Sequence, residues 1–259
     1  MIFPAPPSTT SRWIGRRILF RIGPLAAPSY TVMLYFGFVA GAAVGAWVAA
    51  SAGLDAVRFA LAAVVLLIPA LIGGRLWYAV EHPRRFWAAP MSLLRTQDGG
   101  AGLYGGLVLS FAVSAPVLRA ADLDFWRWWD GGAVIMLIGM MVTRFGCLMN
   151  GCCYGRETGG PFGMWLPDHA GRWRRRVPTQ LLESAWSGLI LAAELAARPH
   201  LPAGGLFLTA AIAYGVGRIV LQLLRGDAAE GGSSTRVNVA FSGLLILLAA
   251  ATLASRAGA

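Results

Sequence analysis

The sequence contains no lysine, so all 22 of its basic residues are arginine and its net charge of +10 rests on guanidinium alone. A guanidinium keeps its charge and grips phosphate in a planar fork, which suits anionic headgroups; a GC-rich genome accounts for the missing lysine equally well. Charge of either sign is scarce. Only 13% of residues are charged and 57% are hydrophobic, whereas a soluble domain carries roughly 25% charged residues. That balance excludes an ordinary soluble globule and leaves a lipid-embedded chain whose partner is the bilayer, not nucleic acid. The three cysteines, Cys147, Cys152 and Cys153, are too few and too close together for a disulfide framework. As metal ligands they lack a nearby fourth donor, because His82, His169 and His200 are spread widely, and neither a metal nor a cofactor is expected. The N-terminal stretch has Arg12, Arg16, Arg17 and Arg21 scattered through it and no apolar core with a cleavage site, so no removable signal peptide is expected. Repeats, low-complexity tracts and linkers are absent, and the chain reads as a single polytopic membrane domain over 1–259.

What is present is a series of apolar stretches, at about 28–51, 57–80, 102–119, 131–147, 181–197, 204–224 and 237–254. Each span must cross about 30 Å of hydrocarbon at 1.5 Å per residue, and the length holds about seven with short loops and no large soluble domain. The pattern predicts an all-α integral membrane protein of about seven transmembrane helices around a lipid-binding cavity. The fourth and fifth stretches are short, so the count is good to one helix. The longest polar piece, 148–180, carries Pro161, Pro167 and the run Arg174, Arg175, Arg176, and is expected to form an extramembrane cap between helices 4 and 5.

With seven spans, the N-terminus and the loops at 81–101, 148–180 and 225–236 share one side. Arg75, Arg144 and Arg218 come late in helices 2, 4 and 6, which run toward that side, while Tyr30, Tyr104 and Glu183 open helices 1, 3 and 5, which start from it. A guanidinium near hydrocarbon is costly, so it faces a cavity and finds a partner. Glu183 is the only carboxylate at this depth, and three cations with one anion leave a positive pocket that a lipid phosphate would balance. Outward snorkelling of each arginine is the plainer alternative. Glycines punctuate the same places: Gly73 and Gly74 before Arg75, Gly105 and Gly106 after Tyr104, and Gly146, Gly151 and Gly155 after Arg144. They admit close helix packing or close approach of backbone to a ligand. Asp98 with Gly99 and Gly100 supplies turn chemistry before helix 3, as a cap or an arginine partner. Asn150 and Gly151 mark the break where helix 4 ends, and nearby arginines favour a reactive thiol among the cysteines, although small buried thiols fit the pattern as well.

Six segments in register resemble the bacterial prolipoprotein diacylglyceryl transferases. Ile22-Gly23-Pro24 with Tyr30 and Gly37-Phe38 looks like the family's entry to helix 1, and Gly73-Gly74-Arg75 with Tyr78 and Pro83 resembles its exit from helix 2. Asp98-Gly99-Gly100 and Tyr104-Gly105-Gly106-Leu107 are similar to its Asp-Gly-Gly and His-Gly-Gly-Leu segments. Arg144 to Arg156 resembles its Gly-Arg-x-Gly-Asn-Phe-x-Asn-Gly-Glu signature, Pro178 to Glu183 its Pro-Ser-Gln-Leu-Tyr-Glu, and Tyr214-Gly215 through Arg218 and Arg225 its helix 6. The departures are specific. Tyr104 stands where the family has a histidine proposed as general base, Cys147 and Cys152 where its signature has asparagine and glutamate, and Gln222 where it has glutamate.

The resemblance implies transfer of a diacylglyceryl group from phosphatidylglycerol, or another anionic phospholipid, to the cysteine thiol of a lipoprotein precursor, with release of glycerol phosphate. It implies catalytic roles for Arg144 and Arg218 in holding phosphate, and for Tyr104 as a base or an orienting hydroxyl. It makes Tyr30, Arg75, Asp98, Gly105, Gly106, Cys147, Asn150, Cys152, Glu183 and Gln222 candidate substrate-binding residues. The lipoprotein precursor's signal peptide is the expected protein partner and the bacterial cytoplasmic membrane the expected location. A lipid-binding paralogue without the usual base, and a membrane thiol-redox protein built on the cysteines, remain as alternatives. Loop arginines number roughly 14 on the side of the mouth and about five on the other, which by charge alone puts the mouth in the cytoplasm. The resemblance puts it outside, and that orientation is the expectation taken.

Overall fold

The computed structural model describes residues 13–81, 102–168, 170–226 and 235–257. Among these residues seven α-helices follow in the expected order: α1 (Ser29–Ser51), α2 (Ala56–Glu81), α3 (Leu103–Ala120), α4 (Phe125–Asn150), α5 (Thr179–Ala197), α6 (Gly205–Leu223) and α7 (Thr235–Ala257). Two antiparallel hairpins accompany them, β1 (Ile18–Ile22) with β2 (Leu25–Pro28), and β3 (Met164–Pro167) with β4 (Trp173–Arg176). Six of the helices, all but α5, are long and apolar enough to cross a membrane. Large apolar side chains such as Val39, Val57 and Leu247 lie on the outside, where lipid takes the place of water. The protein is an all-α, multi-pass membrane protein, with contacts dividing it into two compact units: Met1–Gly41 with Ala133–Ala259, and Ala42–Gly132.

Helix α4 corrects the expected short fourth span, since it runs 26 residues. Its first turns lie in Asp124-Phe-Trp-Arg-Trp-Trp-Asp130, whose charges read as loop. Asp124 caps the helix by accepting the Arg127 N–H at 2.8 Å, as Asp55 caps α2 by accepting that of Arg58 at 2.7 Å. The added turns bury Trp128 and Trp129, whose indole N–H groups donate to the Phe59 carbonyl and the Ser114 hydroxyl.

Helix α5 is built the opposite way from a water-soluble amphipathic helix. Gln180, Glu183, Ser184, Ser187 and Glu194 are buried, while Leu182 and Leu189 face outward. These polar residues recur at helical spacing and form one stripe. A helix whose polar stripe turns inward from lipid has an interior that needs those polar groups, and α5 marks where the site lies.

In the second unit, α2 and α3 approach so closely that backbone nearly touches backbone. A Cβ on Gly73 would stand 2.1 Å from the Gly105 carbonyl oxygen, and one on Gly106 would stand 2.8 Å from that of Ala70. Gly105 and Gly106 therefore make the helix contact itself. Gly73→Ala is expected to destabilise the protein by about 1–3 kcal/mol through overpacking, whereas Gly243→Ala, with open space around it, leaves stability unchanged or raises it slightly. Thermal unfolding of the two variants in detergent checks the contrast.

Candidate functional site

The site is assembled in the first unit by glycines that let α1, α4, α5 and α6 approach. A Cβ on Gly146 of α4 would stand 3.1 Å from the Tyr30 Cα at the start of α1, and one on Gly217 of α6 would overlap the Trp186 indole of α5. That indole N–H donates to the Ala213 carbonyl at 3.1 Å, and the Ser184 hydroxyl donates to the Met141 carbonyl at 2.8 Å, locking α5 to α6 and to α4. The polar stripe of α5 thereby faces Arg144 of α4 and the Tyr214, Arg218, Gln222 face of α6.

At the centre one carboxylate meets three guanidinium groups. Arg218 Nη1 donates to Glu183 Oε1 at 2.8 Å, Arg144 Nε stands 2.5 Å from Glu183 Oε2 by an approach oblique to its N–H bond, and Arg225 Nη1 lies 4.0 Å from Oε1. All four side chains are nearly buried, Arg144 the most exposed at 12%. Tyr214 lies beside Arg144, Arg218 and Glu183. The cluster carries a surplus of two positive charges in surroundings where charge is expensive, a field poised for an anion. The Gln180 side-chain oxygen is also buried, with no donor among the described residues.

Beyond α4 the chain turns sharply. Gly151 and Cys153 take positive φ values of +70° and +59°, and the Cys152 N–H donates to the Cys147 carbonyl at 3.1 Å. The start of α5 holds this turn: the Thr179 hydroxyl donates to the Cys153 carbonyl at 2.7 Å, and Gln180 Nε2 to that of Cys152 at 2.8 Å. The three sulfur atoms lie within 4.8 Å of one another. Hydrogen bonds from the Cys147 and Cys152 thiols hold the Cys153 thiol well below its ordinary range, with Arg225 and Arg144 helping and burial opposing. The Cys152 thiol, hydrogen-bonded with the Cys147 and Cys153 thiols and buried, is raised.

Residues 154–178 are tied to the ends of the helices. Arg156 N–H donates to the Leu224 carbonyl and Gly226 N–H to that of Tyr154, both beside Arg225. Asp168 anchors the β3–β4 hairpin, accepting from the backbone N–H groups of Ala170 and Arg172, from Arg172 Nε at 2.7 Å and from buried Arg176 at 3.4 Å. Arg176 also lies over the Tyr154 ring at 4.1 Å.

Of the residues picked out in the sequence, Arg144, Arg218, Glu183, Cys147, Asn150 and Cys152 converge in this unit. Tyr30, at the start of α1, stands beside the three cysteines and Arg144, and Gln222 reaches from α6 to the Thr235 hydroxyl of α7 at 3.4 Å. Arg75, Tyr104, Gly105 and Gly106 belong to the second unit, where Tyr104 is buried edge-on to Trp77. Asp98 lies outside the described residues. Arg225, Tyr214 and Gln180 were missed as site residues. For Tyr214 and Gln180 the signal was periodicity, since 214, 218 and 222 follow one helical face, as do 180, 183, 184 and 187; Arg225 lies past the end of α6 and had no such signal.

Fold and site together define a multi-pass membrane protein with three arginines gathered on one buried carboxylate. The prolipoprotein diacylglyceryl transferase family model matches residues 17–255, and the chain belongs to that family. It is 29% identical to the phosphatidylglycerol–prolipoprotein diacylglyceryl transferase of Shouchella clausii, over 91% of this chain and 88% of the relative. It is 30% identical to the protein of the same name from Geobacter sulfurreducens, over 83% of this chain and 84% of the relative. A Bacillus licheniformis protein of that name is 29% identical over 92% of both chains.

Burial opposes ionisation of Asp168, but the bonds from Arg172 and Ala170 outweigh it and hold its carboxyl below the usual range. A depressed carboxyl contributes stability that is complete above the unfolded value near 3.9 and is lost as pH falls through the folded value. Hydrogen exchange across 164–176 is therefore expected to stay flat from neutral pH down to about 4 after correction for intrinsic rates, and protection to drop below it. Asp168→Asn should weaken the hairpin by about 2 kcal/mol and remove that acid transition.

Proposed function

We propose that this protein transfers the diacylglyceryl group of phosphatidylglycerol to the cysteine thiol of a lipoprotein precursor, presented by its signal peptide, and releases glycerol phosphate. The observation that carries the reading is the charge surplus around Glu183. The lipid's phosphodiester bears one negative charge and the departing phosphate monoester about two at neutral pH, because its second pKa lies near 6. Arg144, Arg218 and Arg225, less Glu183, present two positive charges. That site matches the leaving group better than the bound lipid, and interactions that strengthen toward the transition state accelerate the reaction.

Sulfur attacks the glycerol carbon that bears the phosphate; the carbon–oxygen bond breaks with its electron pair passing to the phosphate oxygen, and the thiol proton passes to water. Arg144 and Arg218 hold the phosphate, and Tyr214 and the Gln180 oxygen offer polar contacts to the glycerol headgroup. Tyr30, Asn150, Cys147, Cys152 and Gln222 border the substrate. Tyr104 occupies the position of the family's histidine. Neutral tyrosine, with a pKa near 10, is a weak base, and Tyr104 is assigned no proton transfer in this reading.

Purified protein supplied with radiolabelled phosphatidylglycerol and a cysteine-bearing signal peptide is expected to label the peptide, with Arg144→Ala and Arg218→Ala each lowering the rate by about 100-fold or more. Lipid binding without turnover would instead indicate a paralogue that keeps the pocket and lacks the reaction. The proposed location is the cytoplasmic membrane, with residues 148–180 capping the mouth on its outer face. A topology reporter fused to the C-terminus should then be active in the cytoplasm, and an exoplasmic signal reverses the assignment.

A further inference from the structure

Three thiols meet beside the arginine cluster, and the transfer chemistry above needs none of their sulfurs as a reactant. Sulfur atoms around a trigonal ion at a metal–sulfur distance of about 2.3 Å stand about 4 Å apart, close to the spacing available when all three lie within 4.8 Å. The backbone that presents them is set by the left-handed Cys153, by the Cys152 N–H bond to the Cys147 carbonyl, and by Thr179 and Gln180 donating to the Cys153 and Cys152 carbonyls. Two N–H donors point at sulfur: Arg144 Nη1 at 3.8 Å from Cys147 Sγ and Asn150 Nδ2 at 3.8 Å from Cys152 Sγ. Donors of this kind are the outer shell that orients metal-bound thiolates.

Charge and coordination number select the ion. Three thiolates around a monovalent cation carry two negative charges in total, which cancels the surplus left by Arg144, Arg218 and Arg225 after Glu183; a divalent cation leaves the sum unbalanced. Zinc in a structural site takes four ligands, and among the described residues this group contains no fourth histidine, cysteine or carboxylate. Glu183 itself is engaged by Arg144 and Arg218. Soft thiolates with three-fold geometry suit copper(I).

The geometry points to a three-thiolate site for a soft monovalent cation of the copper(I) class, formed by Cys147, Cys152 and Cys153. On binding, the protons the thiols still hold pass to solvent and three metal–sulfur bonds form, with no change of oxidation state. The occupied site cancels the charge assigned above to the phospholipid phosphate, so ion and anionic lipid exclude one another. That exclusion rests on the transferase reading; the metal site does not.

The test is an anaerobic titration of the full chain in detergent, with copper(I) in competition with a chromophoric chelator, after counting free thiols. Three free thiols, one ion per chain and three sulfur neighbours in X-ray absorption at the copper edge are the expected result. Cys147→Ser, Cys152→Ser and Cys153→Ser should each weaken binding by about tenfold or more. Absence of stoichiometric uptake by the unmutated chain, fewer than three sulfur neighbours, a thiol count showing a disulfide, or equal uptake by the triple serine variant overturns the site. The spectrum of the unmutated chain decides the ligand count even where a variant fails to fold. Because metal is measured without lipid or peptide, failure of peptide labelling leaves this result standing, and the reverse holds too.

Discussion

Glu183 is a carboxylate taken out of water, and everything nearby is arranged so that it does not stand alone. An ion in low dielectric is tolerated only with close partners, and removing one partner from a buried pair typically costs about 3–5 kcal/mol. Arg144 and Arg218 supply direct contacts from α4 and α6, and Arg225 stands further off at 4.0 Å. The carboxylate thus pins three elements at one point, while the guanidinium groups it leaves only partly neutralised create the field available to a ligand. Structural tether and chemical potential are the same interaction.

Such a meeting is possible only where helices come close. Inside lipid there is little hydrophobic gain from bringing apolar helices together, so small residues and interhelical hydrogen bonds do the work. Gly146 against Tyr30, Gly217 against Trp186 and Ser184 on the Met141 carbonyl draw α1, α4, α5 and α6 together. Gly73 with Gly105 does the same for α2 and α3 in the other unit. The glycine-rich segments thus act here through backbone approach.

The number, order and approximate limits of the helices could be read directly from the chain, because an apolar run of sufficient length is a local property that lipid rewards wherever it occurs. Arg144, Arg218 and Glu183 could be named for a related reason: alternating helix direction assigns each a depth. What escaped was decided by neighbours. The first turns of α4 carry charges that read as loop, and only the Asp124 cap and the burial of Trp128 and Trp129 make them helix. The hairpins at 18–28 and 164–176 depend on pairing between strands of four or five residues, too short to signal themselves.

The sequence by itself determined that this is a many-helix membrane protein with arginines held inside it, since hydrophobic length and the cost of buried charge follow from residue type and position along the chain. Tertiary structure alone decided which side of each helix faces inward. Helices apolar nearly all round, such as α1 and α2, do not encode their rotation. That rotation brought Tyr214 to the carboxylate and turned the polar stripe of α5 toward it, while the turns after α4 and α6 closed three cysteines into one cluster and set Arg225 beside it. Convergence of side chains from separate helices is a property of packing, and no linear spacing contains it.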